Sequence, residues 1–207
     1  MGLIQLLFRD PLSFVLLIIP LMYSIIIHEL AHGWVAYKMG DPTAKWLGRL
    51  SLDPRKHIDP FGAIALLIFG FGWAKPVPVN FLNLRDQRKG LIFVSAAGIV
   101  ANMALAFIAF LIMRLTDQLD TGPFQTLLYF MARVNIMLAA FNLIPIPPLD
   151  GSKIIMGFLP GRYQYSLERL EPFGMFIILG LLYLGVLNPV IAVFQYAIIS
   201  LIQLFIP

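Results

Sequence analysis

From residue 11 to residue 39 the chain runs for 29 residues with only His28, Glu29, His32 and Lys38 as charged or imidazole side chains. As a helix this stretch is about 43 Å long against a hydrocarbon core of about 30 Å, so it spans a bilayer only with tilt or protrusion. Asp10-Pro11 supplies its start, an acceptor followed by a residue that needs no N–H partner. The rest of the chain is of the same kind. Of its 207 residues 59% are hydrophobic and 13% charged, where a soluble domain has about 45–50% and about 25%. With a mean hydropathy of +0.84, a chain of this size cannot hide its apolar surface in its own core. It reads as an integral membrane protein. A soluble enzyme and a disordered chain are excluded, as is a disulfide scaffold, since there is no cysteine.

Net charge is +4, from 15 Lys+Arg and 11 Asp+Glu. The positive residues gather in two loops, Lys38, Lys45, Arg49, Arg55 and Lys56 in the first and Lys75, Arg85, Arg88 and Lys89 in the second. No basic helix or aromatic interleaving accompanies them, so nucleic acid is not a partner. They act instead as topology-setting charge. Residues 91–113 and 123–144 form two further apolar spans, the second carrying Arg133 and Asn135; residues 173–187 and 190–206 form a closing helical pair joined at Asn188-Pro189. Residues 61–73 are apolar but too few to cross, which predicts a re-entrant or interfacial element. Residues 161–171 read as a polar loop.

The predicted fold class is therefore an all-α polytopic membrane protein. It has about five transmembrane helices, a re-entrant or interfacial element and short membrane-associated extended strands. A single domain covers 1–207, with a core at 11–155 and a C-terminal helix pair at 172–207. The positive-inside rule places 40–60, 74–90 and 150–171 in the cytoplasm. The loop at 114–122, with Asp117 and Asp120, falls on the other side, the N-terminus outside and the C-terminus inside. Membrane lipid is the surrounding partner.

Chemistry concentrates at His28-Glu29-Leu30-Ala31-His32. Residues at i and i+4 share a helical face, so both imidazoles can bind one zinc, and the Glu between them can take a proton from activated water. Ionisable groups inside an apolar span mark function by default. Catalytic zinc takes three protein ligands, and the third candidates are His57, in a polar loop, and Asp150, after the last proline of Asn142-Leu-Ile-Pro-Ile-Pro-Pro-Leu-Asp150-Gly151. His32 lies about 10 Å from its helix end, and the span before Asp150 exits on the same side, which favours Asp150 over His57. An Asp-Gly turn is the ordinary alternative for Asp150.

These residues resemble the site-2 protease family of intramembrane zinc metalloproteases, in a compact prokaryotic branch without PDZ or CBS domains. The resemblance rests on the motif at 28–32, on Gly98-Ile-Val-Ala-Asn102 in the next span, and on Asn142 with Leu149-Asp150-Gly151. Gly40-Asp-Pro-Thr-Ala-Lys and Gly72-Trp-Ala-Lys-Pro-Val-Pro-Val-Asn80 fit the same branch. It implies one zinc per chain on His28, His32 and Asp150, with Glu29 as general base. Asn102 and Asn142 would hold substrate backbone or oxyanion, although Asn102 also fits interhelical hydrogen bonding alone. The implied activity is endopeptidase cleavage within or near transmembrane segments of single-span substrates, as regulated intramembrane proteolysis. It implies a multi-pass protein of a prokaryotic cell membrane whose site is approached from the cytoplasm. A metal transporter using the same cluster is the alternative, though no inverted repeat is visible. In Lys75-Pro76-Val77-Pro78-Val79-Asn80 the alternating prolines put both missing N–H groups on one edge. The segment is either a substrate-clamping edge strand or a stiff polyproline-like loop.

Overall fold

The computed structural model describes residues 3–116 and 122–206. Asp117 and Asp120, on which the sidedness of the 114–122 loop rests, lie outside the described residues. A short helix α1 (Leu3–Arg9) leads into α2 (Pro11–Lys38). The Asp10 carboxylate caps α2 by accepting from the Ser13 N–H at 3.1 Å, and Pro11 opens its first turn. After α2 the chain makes a short helix α3 (Thr43–Trp46), a 3-10 turn (Pro54–Lys56) and α4 (Pro60–Phe69).

The stretch around α4 turns back on itself. Asp59 caps the start of α4 through the Gly62 N–H, and Gly70 ends it in the left-handed region at φ 73°. Ile58 and Ala74 then form an isolated antiparallel bridge, and the Lys75 N–H donates to the His57 carbonyl at 2.8 Å. A Cβ on Gly62 would stand 2.0 Å from the Trp73 carbonyl oxygen, so only glycine lets α4 lie this close to the returning chain. Both ends of the 61–73 segment therefore meet, as a re-entrant element requires.

A 3-10 turn (Phe81–Asn83) leads to α5 (Gln87–Thr116), α6 (Pro123–Asn142), α7 (Asp150–Phe158), α8 (Gly161–Glu168), α9 (Glu171–Tyr183) and α10 (Leu187–Gln203). Helices α2, α5 and α6 pack on one another, with α7 against α5 and α10 against α6. Ala106, Ala139 and Ala140 are fully buried in the main apolar cluster. Small side chains at these positions let helix axes approach where lipid removes the hydrophobic drive for association.

Among the described residues three helices, α2, α5 and α6, are long and apolar enough to cross a membrane. Only 22%, 28% and 33% of their most apolar windows is buried, so each keeps apolar surface outside the protein's own core, as a lipid-facing helix does. The expectation of about five spans is corrected to three, or four if α9 and α10 act as one broken span, because those two are bent by 91°. Apolar length alone registered them as two crossings; at 1.5 Å per residue α9 is only about 20 Å long. The break falls at Gly185, φ 74°, rather than at Asn188-Pro189, since a proline is tolerated in the first turn of α10. The expected strands are also corrected: among the described residues there is no strand, only the Ile58–Ala74 bridge. Pro76 and Pro78 cannot donate to a ladder. Residues 161–168 are helix rather than polar loop.

Candidate metal centre

Helix α2 places His28 and His32 one turn apart, and α7 begins at Asp150, which brings a third donor to the same point. His28 Nε2 and His32 Nε2 lie 3.0 Å apart, and each lies 3.1 and 3.2 Å, respectively, from Asp150 Oδ2. All three residues are buried. Tetrahedral zinc with bonds of about 2.0–2.1 Å separates its ligand atoms by about 3.4 Å, close to this triangle.

Whether these donors fit a cation is decided by what holds the other side of each ring. His32 Nδ1 lies 2.6 Å from the Val94 carbonyl oxygen. A carbonyl only accepts, so Nδ1 carries the proton and Nε2 of the neutral ring presents a lone pair. For His28 the same result is reached through a relay. The Ser24 backbone carbonyl accepts from Asn102 Nδ2 at 3.4 Å, and Asn135 Oδ1 accepts from it at 2.7 Å. That orientation turns Asn102 Oδ1 toward His28 Nδ1, which must donate. Asn135 is itself held through its amide by Ser24 Oγ at 2.7 Å and the Met131 carbonyl at 2.8 Å. Two nitrogen lone pairs thus face each other and a carboxylate oxygen, and Asp150 Oδ2 has no hydrogen-bond partner among the described residues. This is a donor set built for a cation.

Two glycines make the closeness possible. A Cβ on Gly98 would fall 2.5 Å from His32 Nε2, and one on Gly151 would fall 2.3 Å from the Leu143 carbonyl oxygen. The first lets α5 lie against both rings, and the second lets α7 turn in directly after α6.

Glu29 follows His28 on α2, and its Oε2 accepts from the Val77 N–H at 2.7 Å. The extended segment 75–80 is anchored at its far end by the fully buried Asp41, whose carboxylate accepts from the Asn80 N–H at 2.7 Å and from Asn83 Nδ2 at 2.9 Å. Burial pushes Asp41 up, but these bonds and those from Thr43 prevail and hold it below its ordinary value. Since Lys75 and Val77 spend their N–H groups on His57 and Glu29, β-addition along that edge lacks donors at both positions.

The structure thus brings together His28, His32, Asp150 and Asn102, with Glu29 alongside. Asn142 donates to the Leu138 carbonyl of its own helix at 3.0 Å. His57 stands apart, with Nε2 on the Ser51 carbonyl at 2.8 Å. Arg133 lies on the exposed face of α6 without an ion pair among the described residues. Sequence reasoning passed over Ser24, and it assigned no role to Asn135 or Asp41. Ser24 stands four residues before His28, a spacing that places it on the same face and was available to find it.

The profile of Peptidase family M50 matches residues 16–118 and 112–185. The chain belongs to that family. Among relatives of this M50 chain, YwhC of Bacillus subtilis strain 168, named a zinc metalloprotease, is 43% identical over 82% of the chain and 81% of its own length. Rip2 of Mycolicibacterium smegmatis, similarly named, is 28% identical over 86% of the chain and 72% of its own length. MJ0611 of Methanocaldococcus jannaschii, again so named, is 32% identical over 70% of the chain and 71% of its own length. No solved structure matches the chain. Membership agrees with the site-2 protease resemblance of the three motifs.

Proposed function

We propose that this M50 chain is an intramembrane zinc endopeptidase that cuts single-span substrate proteins within or near their transmembrane segments. The observation that carries the reading is the convergence of His28 Nε2, His32 Nε2 and Asp150 Oδ2 at about 3 Å from one another, beside a carboxylate. His28, His32 and Asp150 would hold the zinc, which would supply the Lewis acidity that makes water nucleophilic near neutral pH. Glu29 receives the proton lost by that water and delivers it to the departing amine nitrogen. The Val77 N–H keeps the Glu29 carboxylate aimed. Asn102 is fully buried with both amide atoms engaged, so its role in this reading is to orient His28. The substrate helix must open locally, because its carbonyls are otherwise spent on internal bonds.

The site faces the cytoplasmic side of a prokaryotic cell membrane in this reading. The meeting of residues 58 and 74 supports a common side for the two positive loops that flank them. In reconstituted vesicles, wild type is expected to hold one zinc and cleave a single-span substrate, Glu29→Gln to keep zinc without cleaving, and Asp150→Ala to lose most zinc. Cleavage by Glu29→Gln, or zinc indifferent to Asp150, would overturn the assignment. A metal-transport role has no need of a base at Glu29, so the same variant separates the two.

A further inference from the structure

The 20 residues of α6, Pro123–Asn142, make a helix about 30 Å long, which matches a hydrocarbon core of about 30 Å. Arg133 stands at its middle, about 14 Å from either end, which is roughly twice the reach of an arginine side chain. Its guanidinium therefore cannot snorkel to an interface. The side chain is exposed, in one stripe with Tyr129 and Met137 at four-residue spacing. Neither the guanidinium nor the Tyr129 hydroxyl has a hydrogen-bond or ion partner among the described residues. Gln195 of α10 borders the stripe and donates to the Met137 sulfur at 3.3 Å, a weak acceptor. Lipid tails would leave all of these polar groups without better partners.

Charge and depth narrow what covers the stripe. An arginine in hydrocarbon is costly and is matched by a carboxylate at its own depth. A lipid headgroup stays at the interface, half a bilayer core away. A second copy of the chain has no carboxylate to offer there. Among the spanning helices α2, α5 and α6 only Glu29 is acidic, and the Val77 N–H engages it. Helix α10 has no acidic residue, and α9 has only Glu171 at its first position. The carboxylate must come from a helix of another protein. That helix is not a substrate segment in the act of being cut. At 3.6 residues per turn, Asn135 and Asn142 stand about 200° and 180° around α6 from Arg133. Asn135 is buried on the face that meets Ser24 and Asn102. A helix paired with Arg133 thus lies behind α6, away from the metal centre.

We propose that the Tyr129–Arg133–Met137 stripe is a docking face for an accessory membrane protein, one helix of which carries an Asp or Glu near mid-bilayer. That carboxylate pairs with Arg133, with the Tyr129 hydroxyl as a second donor. The docking face stands apart from the endopeptidase reading, since it needs neither zinc nor Glu29.

The test uses the full chain in phospholipid vesicles, carrying a fluorescent donor through Phe124→Cys. That label is unique because the chain has no cysteine, and Phe124 is 44% exposed in the first turn of α6. The probes are two synthetic single-span peptides of leucine and alanine with lysine flanks and an acceptor dye, one with a central Glu and one with a central Gln. Half-maximal energy transfer should need about 5- to 30-fold less of the Glu peptide, the strength of a polar contact between membrane helices. Arg133→Met, which suits lipid, should make the two peptides bind alike, and Arg133→Gln gives the same comparison should that variant fold poorly. Equal binding of the two peptides to the chain with Arg133, or a preference for Glu that survives its replacement, would overturn the docking face. Cleavage of the Glu peptide that is lost with Arg133 would make the occupant a substrate and overturn the accessory role. A preference lost with Arg133, with the Glu peptide left intact, is the result expected.

Discussion

Gly98→Ala is the smallest change that should damage the metal centre without touching a ligand. The new methyl carbon would sit 2.5 Å from His32 Nε2 and 2.6 Å from both His28 Cε1 and His32 Cε1. Ordinary contact begins near 3.4 Å, so a ring must retreat by about 0.9 Å (3.4 less 2.5). Neither ring can do so freely, because Asn102 and the Val94 carbonyl hold the Nδ1 atoms. Without metal the rings can swing aside at the cost of those bonds, but with metal they cannot, so the strain falls mainly on the bound state. Overpacking of this kind costs about 1–3 kcal/mol, which is about 5- to 150-fold in zinc affinity. The assay is a competition titration against a fluorescent zinc chelator in detergent, with thermal melting in chelator to show that the apo fold survives. Gly180→Ala is the matched control, since a Cβ there meets nothing within 4 Å. Zinc affinity in Gly98→Ala equal to that of the Gly180 control would refute the geometry.

Removing the relay should act on the same quantity by another route. Asn102→Leu deprives His28 Nδ1 of its acceptor and is expected to weaken zinc binding by about 10- to 100-fold. Asn135→Leu should weaken it less, and the double variant should fall short of the sum, because both act through one chain of hydrogen bonds; additive losses in the titration would contradict the relay. Asp41 gives a pH signature. Its folded value lies below the ordinary 3.8, so its stabilising contribution is complete above that value and is lost as pH falls through the folded one. Asp41→Ala should therefore melt lower than wild type at neutral pH, with the gap closing in acid. A gap independent of pH would show that the carboxylate's charge plays no part.

How much of this was legible in the residues depends on the range of the interactions concerned. The limits of α2 follow from Asp10, Pro11 and one apolar run, and the structure begins that helix at Pro11. The segment at 61–73 was legible as an apolar stretch too short to cross, expected to be re-entrant or interfacial, and its ends do meet. The closing pair was misjudged because apolar length does not register a 91° bend. The segment at 75–80 was left between strand and loop, since its partners, Glu29 and Asp41, lie more than thirty residues away in the chain.

By itself the sequence determined that the chain is made for a membrane, that two histidines and a glutamate share one apolar helix, and that a carboxylate follows a later span. Those are consequences of composition and of the 3.6-residue period, both local properties. Only the tertiary structure decided that Asp150 rather than His57 meets the two imidazoles, and that Asn102 faces a ligand instead of open space. It alone joined Ser24, Asn102 and Asn135 into one network. Each of these depends on the angle at which helices distant in sequence cross, and no short-range pattern encodes that angle.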